Sequence, residues 1–342
     1  MKSSIRKSLS RVYRSAEFLL KNSVILSVRG LTYRSNSSIR VTFDSSQAVD
    51  GTGAQLQRMI SVYALANYFG FHYLHSEIKQ VSVHALDPFQ TEELYEKYLL
   101  ELNDFIRFNE INNPQQDSKN FIKHDVFFWK FMALLVRNRF RNKPHHLALL
   151  EPYPITEFRT QIMDLVRGQI HLATRDVPDF SHPTIALHYR QGVGGFALYP
   201  GQNVPRETSL NQFEQALVSI TKEVGPKSIK SIIVLTDAPT DVTYYRPPIQ
   251  QQILWEGTPG YSNGIITIQP TDFNKLSEKF DLPIHVIRGG NPLDAIYLMA
   301  NSDYLLMSKS SLSYLGGIFN DIGEVYFPKN FWHRPLTKWR AF

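Results

Sequence analysis

Short apolar runs rich in β-branched residues alternate with helical periods along the second half of the chain. The helical period is clearest at 210–224, where apolar residues recur every three or four positions. Near-continuous apolar strands separated by such helices are typical of a parallel, doubly wound sheet. The predicted strands of this half are 184–190, 231–237, 284–289, 303–308 and 324–328.

The first half of the chain repeats this alternation less regularly. Strands are predicted at 38–44, 71–76 and 146–152, and helices after Gly53 and at 124–140. Two prolines directly before a strand indicate a linker at 175–183. We therefore predict an α/β protein with a basic N-terminal segment and two Rossmann-like domains. The predicted limits are 1–37, 38–180 and 181–342.

The composition is sufficient for two buried cores and excludes several classes of functional site. The chain has 342 residues, of which 43% are hydrophobic and 20% charged, which is enough apolar surface for two domains. It has no cysteine, which excludes disulfides, iron–sulfur clusters and thiol nucleophiles. No HExxH motif, paired-His motif or DxD-like carboxylate cluster stands at a plausible loop, so we expect no catalytic metal.

The positive charge of the chain is concentrated at its N-terminus. Residues 1–40 carry nine Lys/Arg and one Glu, while the net charge of the whole chain is +6, so the remainder is slightly acidic. This distribution does not indicate a nucleic-acid-binding groove. Apolar and basic residues mix at helical spacing within 4–21, as in a helix on an anionic membrane, a transit peptide or a solvated end. No run reaches the roughly 20 apolar residues of a membrane span, so we expect a cytoplasmic protein, at most peripheral to a membrane.

Polar side chains follow the predicted strands, at the edge where doubly wound sheets bind ligands. His188 and Arg190 end one strand on the same face, and a guanidinium fork there matches a pair of phosphate oxygens. Ser310 and Ser311 begin a helix after another strand, where they form an anion site or an ordinary helix cap. Asp294, near the start of a further helix, either caps that helix or accepts hydrogen bonds from a base edge such as guanine N1–H and N2–H.

Two glycine patterns raise the alternative of dinucleotide binding. GVGGFA at 192–197 follows a strand, but the prolines after it prevent the helix that must hold the pyrophosphate. Gly51-x-Gly53 precedes a helix and leaves open an NAD-linked oxidoreductase, with Glu77 on the ribose. Six residues separate this turn from the preceding strand, which is looser than a dinucleotide turn.

Three motifs together resemble the fucosyltransferase superfamily of the two-Rossmann (GT-B) type, in particular its α-1,2/α-1,6 and protein O-fucosyltransferase group. GTGAQLQRMISVYALANYFG at 51–70 is similar to the glycine turn and Gln-containing helix of that family. HYR at 188–190 matches its His-x-Arg motif, and LDAIYLMANSDYLLMSKSSLSYLGGIFN at 293–320 resembles its final block. The resemblance implies two Rossmann-like domains that face each other across a cleft. It further implies an inverting, metal-independent transfer of a sugar from a GDP-sugar to a glycan acceptor, with no other cofactor. The sugar that the resemblance implies is fucose.

The resemblance assigns roles position by position. It implies that Arg190 holds the β-phosphate, that His188 contacts the nucleotide and that Asp294 reads guanine. Ser310 and Ser311 are the implied phosphate-binding pair.

The glycine turn at the start of this pattern has roles of its own. Gly51 and Gly53 are expected to lie against the donor, with Gln55 and Arg58 on the acceptor side. The acidic residue that follows His-x-Arg in the family is absent, which leaves the general base open. Our candidate for the general base is Asp50, and Asp44 and Glu207 are the next candidates. The missing acid also leaves open a GDP-sugar other than GDP-fucose, and a sugar-nucleotide or glycan-binding module without catalysis.

Overall fold

The structure is a computed structural model. It describes residues 16–17, 19–30, 39–47, 50–81, 91–108, 122–123, 132–133, 136, 145–149, 167–191, 208–246, 260–331, 333 and 335–342. The segment 1–15, the loop 192–207 with Glu207, and most of the helix predicted at 124–140 lie outside these residues.

Strands and helices alternate along the described residues, as the apolar pattern predicts. The strands are β1 (Ile39–Phe43), β2 (His72–Leu74), β3 (Ile106–Phe108), β4 (Ile122–Lys123), β5 (His145–Leu149), β6 (Ile170–Leu172), β7 (Thr184–Tyr189), β8 (Ser231–Thr236), β9 (Thr243–Tyr245), β10 (Tyr261–Ser262), β11 (Ile265–Ile268), β12 (Ile284–Arg288), β13 (Tyr304–Leu306), β14 (Glu324–Phe327) and β15 (Arg340–Ala341). The helices are α1 (19–30), α2 (Thr52–Phe69), α3 (Glu92–Phe105), α4 (Leu210–Val224), α5 (Asn274–Phe280), α6 (Pro292–Ala300) and α7 (Ser311–Phe319).

Contacts divide the chain into two compact units. The first contains the described residues of Met1–Ala48, Gln55–Gln80 and Phe108–His171. The second contains those of Val49–Ala54, Val81–Arg107 and Leu172–Phe342. The domain limits predicted from the sequence stay a prediction.

The first unit contains a four-stranded parallel sheet in the order β2-β1-β5-β4. Val41 and Phe43 of β1 are fully buried. Most side chains of helix α2 are buried, including the polar Gln55, Gln57 and Ser61. A helix that is buried on nearly every side belongs to a core, so α2 is central to this unit.

The second unit contains a six-stranded parallel sheet in the order β12-β8-β7-β13-β14-β15. Every residue of β7 and β8 is buried, which explains why both strands read as continuous apolar runs. Helix α4 covers one face with Phe213, Leu217 and Ile220. The α/β fold class predicted from the sequence is confirmed.

A charged contact fixes the beginning of β7. Oδ2 of Asp303 accepts a hydrogen bond from the Thr184 N–H at 2.8 Å and lies 2.6 Å from Nδ1 of His182. This contact ties the start of β7 to the start of β13, its neighbour in the sheet.

Four features differ from the sequence interpretation. The segment after β8 contains a three-stranded antiparallel sheet, β10-β11-β9, which was not predicted. The C-terminal residues, for which no strand was predicted, form β15 beside β14. Helix α3 and the two-stranded sheet of β3 and β6 were not predicted.

Within the described residues, no helix has both the length and the apolar character needed to cross a membrane.

Candidate functional site

The candidate site lies at the carboxyl edge of the six-stranded sheet. Strand β7 runs parallel to β8 on one side and to β13 on the other, so these three strands end together. His188 lies near the end of β7 and Arg190 directly follows it, while Asp237 follows β8 and several serines follow β13. Ligands of doubly wound sheets bind at such an edge.

His188 is buried and forms a hydrogen bond with a serine of the neighbouring strand end. Its Nδ1 lies 2.7 Å from Oγ of Ser308, and the two side chains are 7% and 0% exposed. Burial lowers the pKa of His188 to about 4, against a smaller opposite effect of the Asp237 charge. The imidazole is therefore neutral near pH 7, and it acts at this site as a hydrogen-bonding group and not as a cation.

Arg190 joins the end of β7 to the start of α7. Its NH1 donates to Oγ of Ser310 at 3.2 Å, and its Nε lies 4.0 Å from Oδ2 of Asp237. The other oxygen of Asp237 accepts a hydrogen bond from the Gln191 N–H at 2.7 Å. The guanidinium is therefore held between a carboxylate and a helix N-terminus, at a position where anions bind.

The serines after β13 form the first turn of α7. Ser310 caps the helix, because its Oγ accepts from the Leu312 N–H at 3.2 Å as well as from Arg190. Oγ of Ser311 lies 3.1 Å from Nε2 of His333. Ser313 Oγ donates to the Ser308 and Ser310 carbonyls at 3.0 and 3.1 Å. The sequence left open a cap or an anion site at Ser310, and the cap is present.

The glycine turn packs against this same helix start. A Cβ on Gly53 would lie 2.6 Å from the backbone nitrogen of Leu312 and 2.9 Å from the carbonyl carbon of Ser311. Thr52, beside it, is hydrogen-bonded through its hydroxyl to the hydroxyl of Tyr98 on α3. Only glycine fits at position 53, because the backbones of α2 and α7 approach without room for a side chain.

The remaining residues predicted from the resemblance are distributed between the two units. Asp50 is half-buried and precedes Gly51 in the second unit. Gln55 is fully buried in the first unit, and its Nε2 donates to the Gln80 carbonyl at 2.5 Å. Arg58 is half-buried on α2. Asp44 accepts from both the N–H and the hydroxyl of Ser46, which gives its carboxylate a local structural role in the first unit.

Asp294 lies in the first turn of α6 but does not cap that helix. The cap is Asn291, whose Oδ1 accepts from the Leu293 N–H at 3.0 Å. Oδ1 of Asp294 instead accepts from Nε of Arg175 at 2.6 Å. The Asp294 side chain remains 35% exposed.

The sequence interpretation overlooked one charged group at this edge. Lys309 is only 6% exposed, and burial lowers its pKa. The sequence contained a signal for this residue, because Lys309 is the one basic residue in SKSS, the segment that leads from β13 into α7.

Within the described residues, no group of three or more His, Asp or Glu side chains could hold a metal ion.

Comparisons with known proteins give low similarity throughout. No family model and no curated relative matches the chain. Among solved structures, POFUT1 in complex with GDP is similar at 10% identity and a TM-score of 0.37, over 85% of this chain and 98% of that one. The glycosyltransferase TibC from enterotoxigenic E. coli is 8% identical, with a TM-score of 0.36 over 85% of this chain and 57% of that one. The E. coli heptosyltransferase WaaC is 9% identical, with a TM-score of 0.35 over 89% and 92% of the two chains.

Proposed function

We propose that the protein is an inverting, metal-independent glycosyltransferase that moves a sugar from a GDP-sugar to a glycan acceptor. The proposed donor is GDP-fucose. The observation that carries the proposal is the contact of Arg190 NH1 with Ser310 Oγ at 3.2 Å. It brings the Arg of the His-x-Arg motif to the serine pair of the final block, 120 residues away. The two motifs that resemble a diphosphate site in sequence are thus adjacent at one sheet edge.

The proposed reaction is a single displacement at the anomeric carbon. The acceptor hydroxyl oxygen forms a bond to that carbon while the bond to the β-phosphate oxygen breaks, and the electron pair stays with the departing GDP. Positive charge builds on the sugar and negative charge on the diphosphate. Arg190 and the N-terminus of α7 stabilise the diphosphate charge, and a carboxylate takes the acceptor proton.

Asp50 is the proposed base because of where the glycine turn lies. Gly53 contacts the first turn of α7. Asp50 precedes it by three residues, which span at most about 10 Å of chain. Its carboxylate is therefore within reach of a donor bound at Ser310. Asp44 is a weaker candidate, because its Oδ1 already accepts two hydrogen bonds from Ser46.

Replacement of Arg190 tests the proposal directly. We expect Arg190→Ala to lower the rate of transfer from GDP-fucose by about 100-fold or more, because a preorganised donor to the leaving group is lost. Arg190→Lys should recover only part of the rate, because an ammonium lacks the planar fork. The matched control is Arg107→Ala, an exposed arginine of the same unit, which should leave turnover unchanged. Unaltered turnover in Arg190→Ala would refute the assignment.

Two alternatives are separated by simple assays. The NAD-linked oxidoreductase needs an open turn at Gly51-x-Gly53, but the space beside Gly53 is filled by the α7 backbone. A non-catalytic sugar-nucleotide-binding module would bind GDP without turnover. Release of GDP from GDP-sugars, measured with and without glycan acceptors, distinguishes this module from a transferase.

We further propose that residues 4–21 contact an anionic membrane. Helix α1 supports this, because Leu19, Leu20 and Leu26 are each more than half exposed while Ile25 and Val28 are buried. Basic residues and exposed leucines together favour an anionic lipid surface. Co-sedimentation with phosphatidylserine vesicles, and none with phosphatidylcholine vesicles, is the expected result. Equal recovery with both would argue against the contact.

A further inference from the structure

Charged hydrogen bonds join three segments of the second unit. Arg175, in the segment before β7, donates from Nε to Asp294 on α6 at 2.6 Å. Its NH1 and NH2 donate to Oε2 of Glu101, on α3, at 3.1 and 3.0 Å. The same oxygen accepts from Nδ2 of Asn291 at 2.9 Å. These four residues are called the Arg175 cluster below.

The Arg175 cluster lies at the same sheet edge as the candidate site. Helix α6 begins shortly after β12, whose carboxyl end points the same way as those of β8 and β7. Two strand spacings separate β12 from β7, which is about 10 Å. A nucleotide with its diphosphate at Arg190 would therefore extend along this edge toward Asp294.

Helix α3 connects the Arg175 cluster to the glycine turn. Tyr98 and Glu101 are three positions apart and share one face of α3. Tyr98 holds Thr52 of the glycine turn, while Glu101 holds Arg175 and Asn291. The helix that the sequence analysis overlooked thus supports both ends of the proposed nucleotide site.

The charges of the Arg175 cluster leave it rich in hydrogen-bond acceptors. It contains two carboxylates and one guanidinium, so one negative charge is in excess. The exposed fractions of the side chains are 35% for Asp294, 30% for Glu101 and 17% for Arg175. An ionised carboxylate only accepts hydrogen bonds, and guanine N1–H and N2–H are adjacent donors. The edges of adenine and uracil place acceptors beside their donors and match it less well.

We infer that Arg175 and Glu101 are positioning residues that orient the Asp294 carboxylate, and that they thereby set a preference for guanine nucleotides. The inference rests on the proposed function, because it takes the diphosphate to bind at Arg190. Arg175 occupies Oδ1 of Asp294 and fixes the plane of the carboxylate. Glu101 fixes the guanidinium in turn and also holds Asn291, the cap of the helix that carries Asp294.

The test compares GDP with inosine diphosphate, which lacks the N2 amino group. We expect calorimetry to show that the unmodified protein binds GDP about tenfold more tightly, since one hydrogen bond to a charged acceptor is lost in the analogue. In Arg175→Ala this ratio should fall close to one, and Arg175→Lys should retain part of it. Inorganic pyrophosphate, the probe for the Arg190 end, should bind Arg175→Ala as it binds the unmodified protein.

Controls separate this inference from the proposed function. Arg340→Ala removes an exposed ion pair with Glu223 in the same unit and should leave the GDP preference intact. If Arg175→Ala fails to bind pyrophosphate, Glu101→Gln replaces it as the test variant, with the same loss of preference expected. Equal binding of GDP and inosine diphosphate by the unmodified protein, or an unchanged ratio in the variants, overturns the inference alone. Failure of the unmodified protein to bind GDP and pyrophosphate overturns the proposed function.

Discussion

His188 links the candidate site to the pH dependence of folding. Its imidazole is buried against Ser308, and burial lowers its pKa from 6.5 in the unfolded chain to about 4. As the pH falls below 6.5, the unfolded chain binds a proton at this residue before the folded chain does. The stability that a neutral His188 contributes is therefore complete above pH 6.5 and is lost progressively toward pH 4.

We predict that His188→Asn removes part of the acid sensitivity of the protein. Between pH 7 and pH 5 this histidine should account for a loss of about 2 kcal/mol in the free energy of unfolding. The variant is less stable at pH 7 but should lose less stability on acidification. Urea unfolding at the two pH values measures both, with the exposed His171→Asn as control. Equal losses in the unmodified protein and His188→Asn would contradict the assigned cause.

At the scale of strands and helices, the apolar pattern of the sequence predicted some elements correctly and missed others. Helix α4 and the parallel strands β7, β8, β12, β13 and β14 match the sequence prediction. Strands β7 and β8 read as continuous apolar runs because a parallel sheet buries both of their faces. Helix α3 was overlooked although its signals are present. Thr91 is its N-cap, and Tyr98, Leu102 and Phe105 recur at helical spacing and are buried.

Other elements gave weaker apolar patterns. The hairpin of β10 and β11 turns at Asn263-Gly264, which both have positive φ, and this Asn-Gly pair is the turn signal of the hairpin. Its strands are too short to alternate visibly. Strand β15 has two exposed residues, Arg340 and Ala341, and is defined only by its pairing with β14. No apolar pattern could have predicted it.

We predict that Gly53→Ala disturbs the contact between α2 and α7. The added methyl group would overlap the backbone at Leu312, and overpacking of this kind typically costs about 1–3 kcal/mol in the free energy of unfolding. GDP affinity should fall as well, because the first turn of α7 must move. Gly168→Ala is the matched control, since no heavy atom lies within 4 Å of the new Cβ. Similar stability and GDP affinity in both variants would show that the close approach at Gly53 is unimportant.

At the scale of the whole molecule, the candidate site depends on contacts between distant segments. The sequence identified Arg190 and Ser310 separately, and their adjacency follows only from the strand order β7-β13. The sequence could not identify Arg175 as the partner of Asp294, because 119 residues separate them and neither belongs to a periodic pattern. Strand order and helix packing decide which side chains meet, and apolar periodicity carries little information about either.

The last prediction concerns the response of the whole chain to nucleotide. A ligand that binds only the folded state at 100 times its dissociation constant stabilises it by about 2.7 kcal/mol, so GDP should raise the thermal midpoint measurably. UDP, CMP and NAD at the same concentration should raise it less, because their bases or second nucleotides do not match Asp294. The shift with GDP, and transfer from GDP-fucose, should both survive EDTA if Arg190 and α7 alone neutralise the diphosphate. A larger shift with UDP or NAD, or loss of transfer in EDTA, would contradict the donor and the metal independence respectively.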